Sequence, residues 1–329
     1  MIISKTPLRI SFAGGGSDMR AYYKYDHGSV LSTAINKYIY IAVNEKFTDN
    51  IRISYSKTEF VDSIEEIEHN LVREALRLVG IKKNVDIVYM SDMLPDHEGS
   101  GLGSSSSLLV GLLNALYTFM GQSVTPEILA SQACKIEIDI LGHPIGKQDQ
   151  YAAAYGGLNH ITFDSHENVS VNPIILKDEL KEMLNNNLLM FHTAINSRSD
   201  AVLIEQKANT KNNIQVLSEM VKLSKYLRDT LQQNELKEFG KVLHKGWIYK
   251  KGLASNISNP VIDKYYENAI SAGALGGKIL GSGGGGFLLF FCEKNYHDKV
   301  RKALVDLKEA HFEFDPEGSR IIYNSNFQQ

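Results

Sequence analysis

Apolar residues fall in short alternating runs through the first third of the chain and at helical spacing through the rest. Residues 8–13, 30–43, 51–55 and 85–90 read as strands; in the last, Val85, Ile87 and Tyr89 share one face of a two-residue period. Between them Ile64, Ile67, Leu71, Ala75 and Leu78 recur every three or four positions, which predicts one helix from about Ser63 to Gly80. Helices are expected over 104–120 and 126–141, the second opened by Thr125 as N-cap with Pro126 at its first position. A strand follows at 157–164. From about residue 178 the pattern predicts longer, more charged helices at 198–233, 235–254 and 260–272. Strands at 278–281 and 287–292, a helix at 296–310 and a strand at 320–323 complete the chain. Both halves are thus α+β, with the boundary expected between 165 and 180 and set here as 1–175 and 176–329.

Composition narrows the class. A chain of 329 residues exceeds what one core usually supports, and two lobes leave a cleft between them. With 35 basic and 38 acidic residues interspersed, net charge −3, there is no basic stripe for a nucleic acid. The longest apolar run, 108–120, is shorter than the roughly 20 residues a membrane span requires and is broken by Gly111 and Asn114. No membrane partner is expected. Cys134 and Cys292, each in apolar surroundings, read as core residues in a reducing cytoplasm rather than as a disulfide or zinc pair.

Glycine clusters at 14–16, at 99–103 and at 281–286. The middle cluster, Gly99, Gly101, Leu102 and Gly103 followed by Ser104, Ser105, Ser106 and Ser107, runs directly into an apolar helix. Free N–H groups and the positive helix end then converge on one spot, an anion site. A flexible turn capping a core helix is the alternative. No lysine follows the last glycine, so this is not a Walker A loop. Residues 281–286 satisfy G-x-G-x-x-G but lead into the strand Phe287–Cys292, which disfavours a dinucleotide fold. Glu137 shares a helix face with Ala130, Ala133, Cys134 and Leu141, so its carboxylate needs a partner, either a metal ion or a lysine at the edge of the stripe.

Three segments together resemble the motifs of the GHMP kinase superfamily: residues 7–18, 101–107 and 278–286. Within it, Ala13-Gly14-Gly15-Gly16-Ser17-Asp18, Tyr22-Tyr23, residues 28–35 and residues 146–157 look like the D-glycero-D-manno-heptose 7-phosphate kinases. The resemblance implies a two-lobed fold, with a ribosomal-protein-S5-like N-terminal domain and an α/β-sandwich C-terminal domain. It also implies ATP and Mg²⁺. By the same resemblance Asp149 contacts the acceptor hydroxyl as general base, Arg9 keeps it ionised, and Ser105 and Glu137 hold the metal. Gly99, residues 101–107, Gly283 and Gly284 then bind ATP.

Gly16, Ser17 and Asp18 frame the sugar, and Lys147 and Arg198 are candidate cations for a phosphate already on it. Asp149 as a turn cap, Asp18 as an Asx-turn residue and the two cations as surface residues are the plain alternatives. The implied reaction converts a sugar phosphate to the 1,7-bisphosphate for nucleotide-activated heptose, by a monomer or homodimer. A fucose or hexose kinase and a silent sugar and ATP sensor are its rivals. Trp247, Tyr249, Tyr265 and Tyr266 read as packing of the helical lobe, and the adenine pocket is sought among residues 45–65.

Overall fold

The computed structural model describes residues 1–93, 100–195, 199–233 and 235–325; Gly99 and Arg198 lie outside them. The chain begins with strand β1 (Ile2–Ala13), a single turn α1 (Arg20–Tyr23) and the long strand β2 (Gly28–Glu45). A hairpin β3 (Ile51–Ser54) and β4 (Thr58–Val61), helix α2 (Asn70–Val79) and strand β5 (Val85–Ser91) follow. Next come α3 (Ser104–Phe119), α4 (Pro126–Cys134), α5 (Gln148–Tyr155), and strands β6 (Leu158–Phe163) and β7 (Val169–Pro173).

The remainder is α6 (Asp178–Asn186), β8 (Leu188–His192), α7 (Ser199–Ala208), α8 (Ile214–Gln232), α9 (Leu236–Lys251) and α10 (Pro260–Ser271). Strands β9 (Ala274–Ile279) and β10 (Phe287–Cys292), helix α11 (His297–Ala303), and strands β11 (Lys308–Glu309) and β12 (Arg320–Asn324) end it.

Among the described residues these strands form two sheets. The first runs β12-β1-β2-β5-β3-β4, with β6 and β7 joined through the other half of β2; only β3 and β5 pair in parallel. The second is antiparallel, in the order β11-β8-β10-β9. Strand β2 serves two neighbours because it is 18 residues long: residues 28–33 pair with β6 and residues 39–45 with β5. Helix α3 packs on β1 and β2, α8 on β2, and α9 on β9 and β10. One apolar core therefore runs from the first sheet through Leu223, Leu227, Phe239 and Leu243 to Phe287 and Phe291 of the second.

Several predicted elements start or stop elsewhere. The helix expected from Ser63 begins at Asn70, because the Glu59 carboxylate on β4 accepts the N–H groups of Glu68 (2.7 Å) and His69 (3.3 Å). Residues 64–66 form only a 3₁₀ turn. The expected 126–141 helix changes at Lys135–Ile140 into a π turn. The segment 198–233 splits at 209–213, where Asn209, Thr210, Asn212 and Asn213 favour turn geometry. Thr125 does accept the Ile128 N–H (3.3 Å) at the start of α4. Among the described residues no helix is long and apolar enough to cross a membrane, and both cysteines are buried thiols.

Candidate active site

A cleft of about 1010 Å³ opens where the first and third glycine loops meet the head of α3. Gly103 caps α3 in the left-handed region (φ +75°), and Ser104, Ser105 and Ser106 form the first turn, whose N–H groups have no acceptor within the helix. Gly101, Gly103 and these serines line the cleft. Leu102 and Ser107 turn inward instead. Leu102 is buried, with its carbonyl accepting the Arg9 N–H (3.0 Å), and Ser107 Oγ donates to the Pro7 carbonyl (2.9 Å). These two contacts fasten the loop to β1.

The third loop lies directly on the second. A Cβ on Gly281 would come 2.3 Å from Gly101 Cα, so neither position tolerates a side chain. Gly281 and Ser282 reach the cleft. Gly283 and Gly284 instead pack on Ile257, whose carbonyl accepts the Gly284 N–H (2.9 Å).

Arg9 and Asp149 meet at the centre. The guanidinium donates from Nε and Nη2 to the two carboxylate oxygens, both at 2.8 Å, and from Nη1 to the Gly101 carbonyl at 2.6 Å. Arg9 is nearly buried, whereas the Asp149 side chain is 24 % exposed. A Cβ on Gly103 would stand 3.3 Å from Asp149 Oδ2, which measures how closely that carboxylate borders the backbone at the head of α3. Asp149 occupies the first turn of α5, consistent with the helix-forming Gln-Asp-Gln-Tyr-Ala-Ala-Ala sequence.

Glu137 sits in the π turn, fully buried, and accepts from Ser105 Oγ (2.8 Å), Ser106 Oγ (2.7 Å) and Gln150 Nε2 (2.6 Å). Burial pushes its carboxyl up, against those three hydrogen bonds, which favour the ionised form. No lysine or arginine pairs with it among the described residues. The one-residue insertion that defines a π turn is common at functional sites, and here it swings Glu137 toward the head of α3.

At the other end of the cleft Asp18 accepts from the Gly16 N–H (2.8 Å), the Gln148 N–H (3.3 Å) and Gln148 Nε2 (3.1 Å). Burial raises its carboxyl, and the charge of Asp149 adds to the effect. Gly16 borders the cleft, but Ser17 is buried away from it, its hydroxyl donating to the Gly14 (2.8 Å) and Ser29 (3.0 Å) carbonyls. Ser11 Oγ and Gln148 Oε1, both on cleft-lining residues, are buried with no partner among the described residues.

Lys147 does not line the cleft. Its ammonium binds Glu167 (2.6 Å), which also receives Tyr23 (2.7 Å) and Arg20 (2.8 Å). Burial works against the ionised Glu167 carboxylate, but these partners outweigh it and hold it down at about 2.

Two lysines that the sequence reading passed over also border the cleft. Lys278 Nζ donates to the Ser11 (2.8 Å) and Phe12 (3.3 Å) carbonyls, and Lys250 Nζ donates to the Gly281 carbonyl. Lys278 lies within the third motif itself; Lys250 carried no signal beyond a charge on an otherwise packed helix face. The far wall holds Tyr55, Ser56, His69, Tyr89 and Leu108. Burial depresses the His69 imidazole, which stays neutral edge-on to Tyr55 at 4.9 Å. Trp247 and Tyr266 pack with Ile262 and Phe290 in a separate apolar cluster, away from the cleft.

Comparison with known proteins fits this geometry. Residues 63–157 match the GHMP kinases N terminal domain and residues 227–310 the GHMP kinases C terminal domain. The D-glycero-alpha-D-manno-heptose 7-phosphate kinase of Campylobacter jejuni is 28% identical over 92% of this chain and 93% of its own length. The L-fucokinase/L-fucose-1-P guanylyltransferase of Bacteroides fragilis is 25% identical over 93% of this chain and 36% of its own. Among solved structures, a D-glycero-D-manno-heptose 1-phosphate kinase from Bacteroides thetaiotaomicron superposes with a TM-score of 0.81 at 27% identity, covering 98% of this chain and 100% of that one. With both family domains matched over more than half of its length, the chain belongs to the GHMP kinases and is a sugar kinase, a phosphotransferase that draws its phosphoryl group from ATP.

Proposed function

We propose that the chain phosphorylates the anomeric hydroxyl of D-glycero-D-manno-heptose 7-phosphate, giving the 1,7-bisphosphate on the way to nucleotide-activated heptose. The observation that carries the reading is the Arg9–Asp149 pair beside the head of α3. It puts a carboxylate next to the backbone that would hold the triphosphate. In this reading residues 1–175 form the nucleotide lobe and residues 176–329 the second lobe, and the adenine lies toward Tyr55, Tyr89 and Leu108.

The N–H groups of Ser104, Ser105 and Ser106 bind the β- and γ-phosphates. Asp18, Ser11 Oγ and Gln148 Oε1 orient the sugar hydroxyls, which supply the partners those buried atoms lack. Asp149 takes the proton of the acceptor hydroxyl as its oxygen attacks the γ-phosphorus. Ser105 and Glu137 fit Mg²⁺: both offer hard oxygen donors, and a buried carboxylate without a cation beside it is suited to one. When bound, that ion supplies charge neutralisation on the phosphate oxygens.

The Lys147–Glu167 pairing favours a second reading, an unphosphorylated sugar as acceptor, because it leaves that ammonium already neutralised. A coupled ADP-release assay decides between them with heptose 7-phosphate, heptose 1-phosphate, fucose, galactose and mannose. Heptose 7-phosphate is expected to give the highest kcat/KM, and a plain hexose exceeding it removes the sharper assignment. Asp149→Asn is expected to lower kcat by about 1000-fold or more with ATP affinity nearly unchanged, and retained turnover removes the site.

A further inference from the structure

A phosphoryl-transfer site needs cations facing the transferring group, and the loop at 101–107 supplies none of its own. Among the described residues Arg9, Lys250 and Lys278 are the arginine and lysines that line the cleft. Their donors are unequally committed. Arg9 spends Nε and Nη2 on Asp149 and Nη1 on the Gly101 carbonyl. Lys278 is shared between two carbonyls of β1. Among the described residues Lys250 meets one acceptor, the Gly281 carbonyl, which leaves two of its three N–H bonds without a protein acceptor there.

Its location is as specific as its valence. Gly281 rests on Gly101, so the ammonium stands at the seam between the third glycine loop and the phosphate loop. The charged groups facing it are Arg9 on β1, Asp18 after β1, Asp149 on α5 and Lys278 on β9. Burial, with Arg9 nearby, brings its ammonium down to about 8, so most of it is charged at neutral pH and an anionic ligand would hold it so.

We infer that Lys250 is a catalytic residue, donating from its ammonium to a non-bridging oxygen of the γ-phosphoryl group as that group passes to the acceptor. The inference rests on the site reading above. In the step, the bond from the acceptor oxygen to phosphorus forms and the bond from phosphorus to the β,γ-bridging oxygen breaks, the electron pair leaving on ADP. The acceptor proton goes to Asp149, and Lys250 keeps its three.

The test uses the full chain with ATP, Mg²⁺ and heptose 7-phosphate, or the sugar turned over fastest in the panel. Lys250→Met is expected to lower kcat by about 100-fold or more while the KM for ATP moves less than about threefold. Ethylammonium added to Lys250→Ala is expected to restore part of the rate. A kcat for Lys250→Met within about threefold of wild type, or a loss confined to KM, overturns the inference and leaves Lys250 as a strut for the third loop.

The wild-type profile of kcat/KM against pH gives a check that needs no variant. Activity is expected to fall as pH rises through about 8, and a profile flat well beyond that point also overturns the inference. Failure here is separable from failure of the site. An active Asp149→Asn discredits the site itself, whereas an inactive Asp149→Asn with an active Lys250→Met discredits Lys250 alone.

Discussion

Among the described residues the carboxylate of Glu137 meets two hydroxyls and an amide but no positive charge, so ionising it inside the protein is costly. Because its folded-state value is raised, its contribution to stability is fully present below the ordinary value of 4.5 and is lost as pH rises through the folded value. Without ligand, Glu137→Gln is therefore expected to be more stable than wild type at pH 8, an advantage that shrinks toward pH 5 in urea titrations. With substrates present the same variant is expected to need about tenfold or more Mg²⁺ for half-maximal rate. An unchanged magnesium requirement would detach Glu137 from the metal. The burial of this residue was readable from its apolar helix stripe; that no lysine answers it was not, because such a partner comes from distant parts of the chain. Lys250 escaped notice for the same reason. Its significance lies in a carbonyl 31 positions further along.

Periodicity located most helices and strands, and it failed where a tertiary contact decided the outcome. Glu59, reaching from β4, replaces the first turn of the helix expected from Ser63. The π turn at Lys135–Ile140 continues directly from α4 with no glycine or proline at the junction to mark the change. Strand β8 and helix α6 were passed over because the asparagine run at 185–187 masks the period on either side.

Backbone contact between loops is likewise invisible in a string of glycines, and its cost can be separated from that of conformation. Gly281 (φ +70°) and Gly121 (φ +73°) share a left-handed backbone, but an alanine Cβ meets Gly101 Cα at 2.3 Å in one case and nothing within 4 Å in the other. Gly121→Ala is expected to cost about 1 kcal/mol and leave activity intact. Gly281→Ala should lose about 3 kcal/mol and raise the KM for ATP, since the phosphate loop has to move to admit the methyl group. Equal denaturation midpoints for the two variants would show that the loops are not locked together.

Across the whole molecule the class of fold was legible through three motifs, whereas the path of the last strand was not. Residues 320–323 read simply as a strand; the structure sets 320–324 antiparallel to Ile2, Ile3, Ser4 and Lys5 in the first sheet. Ser319 adds side-chain bonds to Thr6 (2.8 Å) and Asn114 (3.0 Å), so the end of the described chain is tied to β1 and α3 together. Deleting everything after Glu317 is expected to lower the melting temperature by about 5 °C or more and to expose β1 to proteolysis. A truncated protein that melts and resists protease like the full chain would make the strand dispensable.

The returning strand β12 also bears on synthesis. A ribosome delivers β1 some three hundred residues before its outer neighbour, so the first sheet waits with a bare flank while the later elements are still being made. Expression of residues 1–175 by themselves should yield material that pairs with other copies along that flank, and supplying the 319–325 peptide in trans should relieve it.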